Sequence, residues 1–145
     1  YAPLFNRIGH SQWKPDMIWF DDSDVYLTPN YYVQKLFANH RGTYTIPLQK
    51  QDVKLRKEGI YVSAAVDAQG EIILKLVNTN HREYALMLED ADGLAVRTTG
   101  QMWTLRGTGE MPEDRPEVSA VTEETAEIDG CVFIPAQSLV VIRYQ

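Results

Sequence analysis

The spacing of apolar residues changes once along this chain, near Thr43, and that change limits the folds open to it. Upstream, Tyr32, Val33, Leu36 and Phe37 recur at three- and four-residue intervals and define one helical apolar stripe. Thr28 stands where an N-cap belongs, Pro29 suits the first helical position, and His40 and Arg41 close a last turn just before Gly42. Downstream the pattern is of strands separated by turns, over 60–66, 71–78, 83–88, 94–105, 117–121, 127–133 and 138–144, with no second helix. Asp67-Ala68-Gln69-Gly70 reads as a hairpin connection between the first two. The stretch 106–115 is too polar and too rich in turn residues for a core strand, so it is expected to be an exposed connection. Short strands at this spacing predict a β-sandwich.

The helix raises a question of partners. Its stripe must pack on a sheet or on other helices, and the segment around it supplies only fragments: a short apolar run from Met17 to Phe20, then the acidic turn Asp21-Asp22-Ser23-Asp24. The expectation is that its partners lie upstream of residue 1. The chain also opens abruptly on Tyr-Ala-Pro-Leu-Phe, without an initiator Met or the basic-then-apolar pattern of a signal peptide, as if within a longer polypeptide.

Composition narrows the function classes. With 145 residues, 44% hydrophobic and 23% charged, the chain is of ordinary globular character. Its apolar runs are strand-sized, so no membrane partner is expected. A net charge of −6 argues against a basic face for nucleic acid. The only basic cluster, Lys50, Lys54, Arg56 and Lys57, is mixed with Asp52 and Glu58 and reads as a solvated loop. The single cysteine, Cys131, lies in Cys-Val-Phe-Ile and reads as a small buried hydrophobe in a strand.

No phosphate loop, paired Cys-x-x-Cys, His-Glu-x-x-His or Gly-x-Ser-x-Gly elbow is present. His10, His40 and His81 fall on separate elements, which makes them surface or capping residues rather than ligands or a triad. Asp21, Asp22 and Asp24 open like a calcium loop, but Val25 to Leu27 lack the next oxygen ligand and the glycine, and a turn is the better reading. A retaining glycosidase needs two carboxyl groups about 5 Å apart. Asp21 with Asp22 and Glu123 with Glu124 are sequence neighbours that would point apart in an extended chain, so neither pair is a dyad. Trp13, Trp19 and Trp103 could each stack on a sugar ring or pack in a core; Trp19, inside Met-Ile-Trp-Phe, reads as a packing residue, whereas Trp13, flanked by Ser11, Gln12 and Lys14, is open to either.

Three segments carry a resemblance. Tyr-Ala-Pro-Leu-Phe at 1–5, Trp-x-Pro-Asp-Met-Ile-Trp-Phe-Asp at 13–21 and Thr-Pro-Asn-Tyr-Tyr-Val-Gln-Lys-Leu-Phe at 28–37 resemble, in order, the closing section of glycoside hydrolase family 51 α-L-arabinofuranosidases. Residues 61–64, 70–78, 116–118 and 135–142 resemble that family's carboxy-terminal domain more loosely, and Asp22 and Leu27 depart from its pattern. The resemblance implies a mainly β chain: a jelly-roll-like β-sandwich over 43–145, preceded over 1–42 by the last strand, loop and helix of a (β/α)8 barrel. Residues 1–5 would end that last strand. The catalytic glutamates would lie upstream of Tyr1, so this chain alone is expected to be inactive. The parent would release terminal arabinofuranosyl groups from plant arabinan or arabinoxylan with retention of configuration.

The expected partners are the upstream barrel of the same polypeptide and, through it, an arabinose-containing polysaccharide; no cofactor and no metal are expected, and a periplasmic or extracellular location is preferred. Because barrel active sites lie at the carboxy-terminal strand ends, His10 and Trp13 are the candidates for the rim of the substrate site. The competing expectation is a carbohydrate-binding module, which would need an exposed aromatic platform, whereas residues 43–145 hold one Trp and few Tyr.

Overall fold

A computed structural model describes residues 4–10, 16–48, 52–107 and 119–145. Its centre is a six-stranded sheet with every neighbouring pair antiparallel. In chain order its strands are β4 (Tyr44–Ile46), β5 (Ile60–Val66), β6 (Ile72–Asn78), β8 (Arg97–Arg106), β9 (Val121–Asp129) and β11 (Ser138–Tyr144), and across the sheet they run β4-β5-β6-β11-β8-β9. A second, two-stranded ribbon pairs β7 (Tyr84–Met87) with β10 (Cys131–Ile134). The chain is mainly β and forms the sandwich that its strand spacing predicts.

Alternation along the strands decides which side chains meet. On one face of the large sheet Ile60, Ala64, Leu74, Leu76, Val140 and Ile142 pack against Leu86, Val132 and Ile134 of the ribbon. The residues between them point the other way, where Ile73, Leu105, Leu139 and Val141 form a second cluster. Strand β11 is therefore covered on both faces, which explains the unbroken apolar run Leu139 to Ile142. Each such side chain, fully buried, contributes about 1.5–3 kcal/mol.

What covers the second face is helix α1 (Pro29–Asn39). Its Leu36 is buried in that cluster, and Tyr32 and Val33 of the helix pack against the cluster together with Val77, Trp103 and Val121 of the sheet. This corrects the expectation that the stripe's partners lie upstream: the sheet built from the following residues covers it. Periodicity shows that a helix has an apolar side but not which surface meets it. Phe37, at the margin of the stripe, stays exposed, with the Lys75 ammonium 4.5 Å from its ring centroid.

The helix ends also differ from expectation. Thr28 occupies the N-cap position, but its side chain makes no cap bond; the hydroxyl donates instead to the Met17 carbonyl at 2.7 Å. His40 rather than Gly42 follows the last turn, its N–H donating to the Leu36 carbonyl. Gly42 serves packing: a Cβ there would lie 2.4 Å from the Ala65 Cβ.

Ahead of the helix, β1 (Phe5–Arg7), β2 (Ile18–Phe20) and β3 (Val25–Leu27) form a small sheet, with β1 parallel and β3 antiparallel to the middle strand. Strand β1 begins at Phe5, where the resemblance ends a strand; most of 1–5 lies outside the described residues.

Other differences are local. Residues 52–57, expected as loop, form a short helix α2 (Asp52–Lys57), with ion pairs Asp52–Arg56 and Lys54–Glu58 one turn apart and Leu55 against the core; Lys50 lies outside the described residues. Surface pairs of this spacing are screened by solvent and contribute little, so Leu55 does more than the charges to seat it. The strand expected over 127–133 is two strands, broken at Gly130 (φ +70°), where the chain leaves the sheet for the ribbon. The strand expected over 117–121 begins at Val121 as β9, and 117–118 lie outside the described residues, as does most of the connection 106–115. Cys131 is only half-buried, because it opens β10 opposite the exposed Met87 on the ribbon's outer side.

Candidate functional site

The segment singled out for function follows β1. Strand β1 turns at Ile8 and Gly9, with the His10 N–H donating to the Arg7 carbonyl at 3.0 Å, and this leaves His10 exposed beyond the strand end. Trp13 lies outside the described residues. Asp16, the next described residue, is fully buried. One of its carboxylate oxygens accepts from the Asn6 side-chain amide, and its backbone carbonyl accepts from the Trp19 indole N–H at 3.2 Å. Trp19 is buried, as expected of a packing residue.

The acidic turn between β2 and β3 organises itself. The Asp21 carboxylate accepts from the Ser23 N–H, the Ser23 hydroxyl, the Asp24 N–H and the Tyr26 hydroxyl, all at 2.8–2.9 Å. These donors, the Ser23 N–H foremost, hold its pKa well below the ordinary carboxylate range. Asp22 pairs with Arg7 at 2.5 Å. Glu123 and Glu124 follow one another along β9 and so point to opposite sides of the sheet. Neither carboxylate pair converges on a common point. Among the described residues, no group of three or more His, Cys, Asp or Glu could hold a metal ion.

His40 stands apart from the other histidines. Placed by the end of α1 over β8, its ring lies 4.2 Å from that of Trp103, with the planes tilted by 44°. The sandwich's single tryptophan is thus partly covered by this imidazole and by the second apolar cluster rather than open as a platform. Burial, then the charges of Arg143 and Lys75, lower the His40 pKa, with Glu123 opposing. His10 and His81 are exposed on loops after β1 and β6, so the three do not form one site.

Two groups that sequence reasoning passed over tie the sandwich together. Asn78, at the end of β6, is buried and its amide donates to the carbonyls of Arg82, Ile134 and Pro135, while its oxygen accepts from Asn80. Arg143 in β11 bonds Asp67 at 2.5 Å and also Glu71, locking the β5–β6 hairpin to the central strand. An Asn closing a strand gives no local sign of such a role; the carbonyls it serves are 56 and 57 residues away.

This arrangement of small sheet, helix and sandwich has known counterparts. Residues 1–136 match the family described as the α-L-arabinofuranosidase C-terminal domain. The chain belongs to that family. Among curated relatives of this C-terminal domain, α-L-arabinofuranosidase 1 of Arabidopsis thaliana is 30% identical over 147 aligned residues, covering 95% of the chain and 22% of the relative. An extracellular exo-α-L-arabinofuranosidase of Streptomyces chartreusis is 43% identical over a shorter stretch of 47 residues, 32% of the chain and 6% of the relative.

Solved structures share the fold. An arabinose-bound family 51 α-L-arabinofuranosidase aligns over 99% of the chain and 23% of its own length, with a TM-score of 0.76 and 23% identity. The thermostable family 51 enzyme of Thermotoga petrophila aligns over 90% of the chain and 31% of its own, with a TM-score of 0.62 and 17% identity. The C-terminal domain described here therefore spans about a fifth to a third of the proteins it resembles.

Proposed function

We propose that this chain is the non-catalytic carboxy-terminal part of a retaining α-L-arabinofuranosidase acting on terminal arabinofuranosyl groups of plant arabinan or arabinoxylan, and that it braces the catalytic barrel. In this reading 1–42 complete the barrel, 43–145 form the sandwich, and α1 is the joint between them.

The observation that carries it is the open side of the small sheet. Pairing places Phe5, Arg7, Ile18, Phe20, Val25 and Leu27 on one side of that sheet, and Phe5 and Val25 are 61% and 64% exposed. A parallel pair of strands is ordinarily covered on both faces. Among the described residues one side lacks its cover, while the neighbouring helix is already committed to the sandwich. An upstream barrel of the same polypeptide supplies that cover, and the small share of the relatives' length spanned by this chain leaves room for one.

The test compares the longer polypeptide with this chain. Replacing Phe5 and Val25 together by Ser is expected to lower the melting temperature of the full-length protein by several degrees while leaving that of the isolated chain within about a degree, since surface changes there cost little. Equal melting temperatures for parent and variant at full length would remove the bracing role. Hydrolysis of an aryl arabinofuranoside by the purified chain alone would overturn its non-catalytic assignment.

The same reading places His10 and Trp13 at the aglycone rim of the parent's site, since both follow the first described strand. Trp13→Ala at full length is expected to raise KM for arabino-oligosaccharides more than for a small aryl glycoside. Unchanged kinetics on both would exclude the contact.

A further inference from the structure

Seating α1 on the sheet buries a titratable ring at the joint. His40 is only 8% exposed, its ring lies against Trp103, and its buried Nδ1 has no hydrogen-bond partner among the described residues. Three charged groups act on it, from three strands. Lys75 comes from β6 and lies over Phe37 of the helix; Arg143 comes from β11; Glu123 comes from the edge strand β9. Strand β8 brings the neutral Trp103, and β5 brings Ser63 beside Lys75. Arg143 is itself bonded to Asp67 and Glu71, which soften its charge, but Lys75 has no carboxylate bonded to it among the described residues.

We propose that His40 is an acid-sensitive latch between helix and sandwich: neutral, it holds the last turn of α1 on Trp103; protonated, it leaves the sheet and frees the helix end. A neutral ring can bury an unpartnered nitrogen far more cheaply than an imidazolium can bury an unpartnered N–H. Protonation also sets a third positive charge beside Lys75 and Arg143, against Glu123 alone on its own side. Attraction of the imidazolium to the Trp103 π-face opposes this. Burial, Arg143 and Lys75 together win, since the imidazole's pKa is held below the ordinary 6.5. The sign follows: with the folded value below the unfolded one, the stabilisation is complete above pH 6.5 and declines as pH falls toward the folded value.

Hydrogen exchange of the full-length polypeptide, read on peptides spanning 36–41 and corrected for intrinsic rates, tests the latch. Between pH 7.5 and 5.5 the parent is expected to lose severalfold more protection than His40→Gln, which cannot take up the proton. Lys75→Met, which keeps the ring and the fold but removes a cation, should retain more protection at pH 5.5 than the parent. Equal pH dependence in parent and His40→Gln overturns the proposal. So does a His40 ring titration, followed by NMR, at or above 6.5. Should His40→Gln loosen the helix at every pH, Lys75→Met decides: acid loss as large as in the parent rejects the latch, and a smaller loss supports it.

Discussion

Single residues carry several of the sandwich's long-range ties, and Asn78 is the clearest. Its two amide hydrogens face three carbonyls from two other segments, so a carboxylate in its place would set oxygen against oxygen in a buried site. Asn78→Asp is expected to cost about 2–4 kcal/mol at pH 7, the range for leaving buried partners unmet and adding a charge. The new carboxyl's pKa would be raised by this setting, so stability should recover as pH falls through it and the protonated group can donate. Urea denaturation at pH 7 and pH 4.5 measures both, and a midpoint unchanged from the parent would refute the role. Gly42 is a second such position. Adding a methyl stiffens the unfolded chain, a gain of about 0.4–1 kcal/mol, but contact at 2.4 Å with Ala65 forces a shift costing about 1–3 kcal/mol. Overpacking prevails, so Gly42→Ala should lower the denaturation midpoint; a raised midpoint would show that the helix–strand junction can yield.

Elements differ in how much of themselves they commit. Along α1 two adjacent apolar residues have opposite fates: Leu36 is buried in the sheet's second cluster and Phe37 is 44% exposed over Lys75. Leu36→Ala is expected to cost about 2–4 kcal/mol, whereas Phe37→Ala forfeits little beyond a cation–π contact of about 0.5–1 kcal/mol. Equal losses in calorimetry would mean that the helix packs on another side. The β2–β3 hairpin is held by one carboxylate. Asp21 titrates below its ordinary value because four donors favour its charged form, so the turn should persist above the ordinary Asp range and open only as pH falls through the depressed value. An Asp21 carboxyl that titrated by NMR at or above 3.8 would contradict that account. Periodicity was enough to place α1, β5, β6 and β11 from sequence. It missed α2, whose six residues are mostly charged and whose only inward anchor is Leu55. It also merged β9 with β10, because Gly130 breaks an otherwise continuous run through its φ rather than through polarity.

At the scale of the whole molecule the six-stranded sheet is a shared wall, with the ribbon on one side and the helix on the other. Helix α1 therefore shares an apolar cluster with the large sheet. A fragment beginning at Thr43 would expose Ile73, Leu139 and Val141, all now buried beneath α1. Such a fragment is expected to bind a hydrophobic dye and to melt several degrees below the intact chain, by the same area argument that stabilises the cluster. A fragment with the parent's melting temperature and no dye binding would show that the helix merely rests on the sheet.

Sequence alone determined that this chain is mainly β after one amphipathic helix, and the motifs at 1–5, 13–21 and 28–37 pointed to the family, because strand alternation, caps and short motifs are properties of neighbouring residues. Tertiary structure decided what the helix packs on, that Asn78 and Arg143 tie distant segments, and that His40 lies against Trp103. Each of those pairings joins groups far apart in the chain. Only the order and register of strands in the sheet bring them together, and no spacing along the sequence encodes that.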